Sequence, residues 1–73
     1  MAVSDEMTFT VFCLEWYKVY RQLSGKKAIK LFSDYRVFDY IKEFYDVLHL
    51  TGHDYMVRDI DSYLKARGVT FAD

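Results

Sequence analysis

Residues 37–49 read Val37-Phe38-Asp39-Tyr40-Ile41-Lys42-Glu43-Phe44-Tyr45-Asp46-Val47-Leu48-His49, and their spacing decides the fold class. Val37, Phe38, Ile41, Phe44, Tyr45 and Leu48 recur at steps of three and four. Asp39, Lys42, Glu43 and Asp46 fill the intervening positions. That period belongs to an amphipathic helix, with one face for a core and one for water. Ser33 or Asp34 can cap its start, and Gly52 is placed to take a left-handed conformation after its end.

Reading outward, Met56, Val57, Ile60, Tyr63 and Leu64 form a second clean stripe. This predicts a helix over about 54–67, with Asp59, Asp61 and Lys65 facing away and Gly68 as its stop. Upstream, Ser24 is a good cap for a short helix over about 25–33, whose apolar set is Ala28, Ile29, Leu31 and Phe32. Earlier still, Phe9, Phe12, Cys13, Trp16, Val19, Tyr20 and Leu23 predict a core-facing helix over about 5–22. Asp5 and Glu6 suit the positive end of its dipole, and Lys18 and Arg21 the negative end. The tail, residues 69–73, reads as frayed, with Phe71 available to dock. The expectation is all-α: residues 1–73 as one small bundle of four helices, the second one short.

Composition narrows the function classes. The 73 residues include no Pro and only three Gly, and 52% are hydrophobic, which excludes a disordered or linker-like chain. A net charge of -1 removes the simplest electrostatic case for binding nucleic acid. A helix–turn–helix reader is the alternative: it would use 37–49 as its recognition helix, which carries Asp39, Glu43 and Asp46 against one Lys42, or the helix after a break at residues 51–53, which offers Arg58, Lys65 and Arg67 but also Asp54, Asp59 and Asp61. A single Cys forms no internal disulfide and fits a reducing compartment. With acidic residues at the start and no long apolar run, the expected location is cytoplasmic, with no membrane contact.

No residues form a catalytic constellation. Cys13 lies on a core stripe with no basic neighbour to favour its thiolate. His49 and His53 are four apart, but Gly52 interrupts the helix between them, so neither a metal nor another cofactor is expected. Asp54, Asp59 and Asp61 lack calcium-loop spacing and read as solvated. Seven Tyr, six Phe and one Trp are more aromatics than four stripes require. Tyr17, Tyr35 and Tyr40 fall off those stripes. Lys18, Arg21, Lys26, Lys27 and Lys30 form a run of positives with no acid between them. Candidate contacts for a protein partner or a second copy are therefore Tyr17, Tyr35, Tyr40, Lys26, Lys27 and Lys30.

Three stretches, with a closing fourth, carry a resemblance. They are Val11-Phe12-Cys13-Leu14-Glu15, Leu23-Ser24-Gly25-Lys26-Lys27-Ala28, and Tyr45-Asp46-Val47-Leu48-His49 with Gly52, Tyr55, Val57, Asp59 and Ile60, followed by Asp61-Ser62-Tyr63-Leu64-Lys65-Ala66-Arg67. From about Phe9 to Arg67 the chain resembles a family of small bacterial proteins labelled only as domain of unknown function 3791 (DUF3791). Where that family tends to have an acidic residue before Asp59, this chain has Arg58. The resemblance implies a small cytoplasmic helical protein with no assigned activity. It also implies a genomic neighbour similar to ADP-ribosyltransferases, in an arrangement like a toxin–antitoxin pair whose small member masks the larger. On this reading the protein is a non-enzymatic interaction module; the alternatives are a nucleic-acid-binding domain and a self-associating unit.

Overall fold

The computed structural model describes residues 5–71. Five helices follow one another: α1 Asp5–Arg21, α2 Gly25–Asp34, α3 Val37–Glu43, α4 Tyr45–Leu48 and α5 His53–Ala66. No strand occurs among the described residues. The expected all-helical class holds. The expected count of four does not, because the helix anticipated over 37–49 is interrupted at Phe44 (φ -105°, ψ 20°). Val37 and Ile41 are buried before the interruption and Leu48 after it, while Phe44 itself is exposed.

Local chemistry explains most helix ends. The Ser24 hydroxyl accepts from the Lys27 N–H at 3.1 Å and opens α2 as expected. Gly68, at φ +89°, closes α5, where the Val69 N–H donates to the Leu64 carbonyl at 3.1 Å. Gly52 departs from expectation: it is extended (φ -69°, ψ 159°) and precedes α5 rather than following a helix in the left-handed form. The helix then begins at His53, one residue before the expected Asp54. Gln22 takes the left-handed conformation instead (φ 55°), and the Leu23 N–H reaches back to the Lys18 carbonyl at 2.8 Å. The C-terminal stretch is not frayed up to Phe71: Val69 joins the core and Phe71 packs against it. Residues 72–73 of the expected tail lie outside the described residues.

The core joins Cys13 and Tyr17 of α1, Phe32 of α2, Val37 and Ile41 of α3, and Met56, Val57, Ile60 and Leu64 of α5. The α5 stripe matches expectation. The α1 stripe matches in part: Cys13 is buried and Phe9 and Leu23 pack against the core as expected, but the buried face is rotated roughly a third of a turn from the Phe12–Trp16–Val19 row, at 3.6 residues per turn. Phe12, Trp16, Val19 and Tyr20 are exposed, while Tyr17 is fully buried.

The rotation follows from a polar anchor. Asp61 is buried, contrary to its expected solvated position. Its Oδ1 accepts from the Tyr17 hydroxyl at 2.8 Å and from Arg21 Nε at 2.9 Å. Arg21 Nη2 donates to Oδ1 at 2.7 Å and Oδ2 at 2.6 Å, and Lys65 Nζ lies 3.2 Å from Oδ2. The Arg21 guanidinium also lies 4.2 Å from the centre of the Phe71 ring. Burial alone would raise the carboxyl pKa; hydrogen bonds from Arg21, Tyr17 and Lys65 outweigh it and hold the value below the ordinary one.

Asp61→Asn should destabilise the fold by about 3 kcal/mol, because a buried charge cluster loses its anion. Tyr17→Phe should cost about 1–2 kcal/mol, since it removes one donor to a charged acceptor. Urea unfolding followed by helical circular dichroism measures both. The depressed Asp61 carboxyl also fixes the sign of an acid effect. Its stabilisation is complete above the unfolded value of about 3.9 and is lost as pH falls through the lower folded value. That acid-dependent component should be missing in Asp61→Asn. Gln22→Gly should raise stability by about 0.5–1 kcal/mol, because glycine adopts the left-handed form without strain.

Candidate interaction surface

The structure separates the residues singled out from the sequence. Tyr17 is in the core and its hydroxyl is taken by Asp61, so its side chain is not on the surface. Burial first, and then hydrogen bonding to Asp61, push its phenol pKa upward. Tyr35 and Tyr40 are half-buried and meet around Tyr63. The Tyr63 hydroxyl donates to the Tyr35 carbonyl at 2.9 Å, and its ring lies 4.3 Å from that of Tyr40. The Tyr40 hydroxyl donates to Asp59 at 2.6 Å. These two tyrosines therefore tie the α2–α3 junction to α5. Lys26, Lys27 and Lys30 are exposed on α2, where Lys30 pairs with Asp34 at 3.0 Å.

Two other features stand out. The first is the outer face of α1, where Phe12, Trp16, Val19 and Tyr20 are 42%, 38%, 65% and 46% exposed. Large apolar side chains at steps of three and four make a continuous stripe facing away from the core. Of the seven residues expected on the core face of α1, Phe9, Cys13 and Leu23 are in or against the core, and Phe12, Trp16, Val19 and Tyr20 are exposed instead. Apolar residues occupy most of the helix circumference, so periodicity alone could not choose between its faces. The surplus could have been traced to α1 by counting apolar positions around the wheel. A further signal was the polar end of Tyr17 set one turn before Arg21.

The second feature is a groove of about 420 Å³ beside that stripe, lined by Phe9, Phe12 and Tyr45, with Asp5, His49 and His53 at its edges. Rings from three elements form a belt along it. His49 stacks on Tyr45 at 4.4 Å, Tyr45 meets Phe9 edge-on at 5.6 Å, and Phe9 lies 6.1 Å from Phe12. Phe12 continues to Trp16 at 6.0 Å, and Trp16 stacks on His53 at 3.9 Å. The break at Phe44 separates α3 from α4, the helix that brings Tyr45 to Phe9. The two histidines, one after α4 and one opening α5, each end as a stacked ring at one end of the belt.

Elsewhere the chemistry is quiet. Burial pushes the Cys13 thiol up to about 12, so at neutral pH it is protonated and a poor nucleophile. The helix that a DNA reader would insert is only seven residues long, and it presents Asp39 and Glu43. Among the described residues no helix is long and apolar enough to cross a membrane.

A family model described as a protein of unknown function, DUF3791, matches residues 8–67. The chain belongs to this family. No curated protein and no solved structure matches it. The DUF3791 match spans α1 through α5 almost entire, so the Asp61 anchor, the outer stripe and the aromatic belt all fall within it.

Cys13 should resist a thiol-reactive disulfide reagent in the folded protein and react at once in denaturant. Labelling at the rate of a free thiol under native conditions would place it outside the core.

Proposed function

We propose that this DUF3791 protein is a non-enzymatic protein-interaction module that docks through the outer face of α1. The observation that carries the reading is the exposed row of Phe12, Trp16, Val19 and Tyr20 on a helix whose adjacent face, through Cys13 and Tyr17, already fills the core. Contiguous exposed apolar surface on a small domain marks an interaction site, and Trp and Tyr are enriched at the energetic centres of interfaces. The aromatic belt beside the row extends the same surface toward α4 and α5. The family resemblance supplies a candidate partner, the ADP-ribosyltransferase-like neighbour, which the chain would mask in an antitoxin-like manner.

Co-expression with that neighbour and size-exclusion chromatography form the test. The wild type should elute as a stoichiometric complex. Trp16→Ser combined with Val19→Ser should keep the helical spectrum and weaken the complex at least about tenfold, or about 1.4 kcal/mol. Full affinity in a folded double variant removes the α1 face from the interface. Absence of any complex with the wild type overturns the partner assignment.

A further inference from the structure

The groove at the end of the α1 stripe has an electrostatic character that the stripe lacks. Asp5 lies at its edge, and the lining given above contains no Lys or Arg. Tyr45, in its wall, has its phenol pKa raised, first by loss of water around it and then by the negative fields of Asp5, Glu6 and Asp46. On the far side His53 pairs with Asp54 at 3.2 Å. One carboxylate, Asp5 of α1, thus lines the aromatic depression itself, and Asp54 meets it through the lining His53. The nearest basic side chain in the adjoining depression, Lys42, lies beside Asp39 and Glu6.

Aromatic walls with a carboxylate, Asp5, among them select for one kind of guest. Ring faces carry negative electrostatic potential and attract cations, while the apolar stem of a long basic side chain can lie along them. The carboxylate then meets the charged head. An anion would face the same carboxylate and be repelled. A purely apolar guest would leave that charge unanswered.

We propose that this groove is a receptor for a Lys or Arg side chain presented by the partner protein. The inference rests on the interaction-module reading and specifies the chemistry of its partner: a basic side chain seated between Phe9, Phe12 and Tyr45, with Asp5 at the entrance. Trp16 of the stripe touches two groove-lining rings, Phe12 at 6.0 Å and His53 at 3.9 Å, so seating the cation and covering the outer face are parts of one docking event.

Trp16 is the sole tryptophan and reports on the site directly. The probe is a short capped peptide with two arginines among serines and glycines, titrated into the intact protein while Trp16 emission is followed. Its controls carry citrulline, the uncharged analogue of arginine, or glutamate at the same positions. The arginine peptide should give a saturable change, with the citrulline peptide at least about fivefold weaker and the glutamate peptide silent. Asp5→Asn should weaken the arginine peptide about threefold, and this loss should shrink as salt is raised. Phe12→Ala should weaken it further while leaving the helical spectrum intact.

Equal response to arginine and citrulline, or no saturable response, overturns the basic-guest inference. If Trp16→Ser with Val19→Ser still weakens the partner complex in that event, the interaction-module reading stands alone. Concentration-dependent sedimentation of the protein by itself, abolished by changing Lys26, Lys27 and Lys30 to Gln, would assign the guest to a second copy and overturn the partner-protein assignment.

Discussion

One buried carboxylate holds the arrangement in register. Asp61 receives Tyr17 and Arg21 from the first helix and Lys65 from its own. Hydrophobic contact is non-directional and would accept α1 in more than one rotation, because apolar residues cover so much of its circumference. A bidentate guanidinium–carboxylate pair accepts a narrow range of geometries. The polar cluster therefore specifies which α1 side chains enter the core. It commits Cys13 and Tyr17 to the interior and leaves Phe12, Trp16 and Val19 outside. The exposed aromatic row and the core are two results of the same rotation.

The interruption at Phe44 has a similar double effect. It leaves Val37 and Ile41 in the core with Leu48, and on its far side Tyr45 reaches Phe9. Without the separate α4, the wall of the groove opposite α1 would lack its ring. Small changes in backbone direction thus decide whether aromatic residues fill the core or line a surface groove. In a domain with so little interior, most of its rings must find places at its edges.

Much of the fold was legible in the sequence. The clean stripe of α5, the Ser24 cap and the Gly68 stop all read directly, because each depends on residues within a turn of one another. The rest depended on distant partners. Asp61 looks solvated when read beside Asp59, and only Tyr17 and Arg21, some forty positions earlier, make its burial favourable. The break at Phe44 lacks the Gly or Pro that would announce it. Gly52 was recognised as a boundary, but the same residue suits either side of one. The surplus of aromatics is legible in the sequence, but which of them lie at the surface is not. Tyr17, Tyr35 and Tyr40 proved to be internal ties, whereas Phe12 and Trp16, read as core, are outside.

The distance along the chain between Tyr17 and Asp61 has a consequence for synthesis. The first helix emerges from the ribosome long before its acceptor, and a chain halted ahead of Asp61 has no anion to receive Tyr17 and Arg21. Val69 and Phe71, which complete the packing around that cluster, emerge later still. Until Asp61 emerges, α1 has Phe32 and Tyr45 to pack against but no anion, and closure of the loop between the anchor's two ends is still to come. The orientation of α1 is therefore settled late in synthesis: only after Asp61 has emerged can the carboxylate anchor turn the helix to the side on which its outer stripe is displayed.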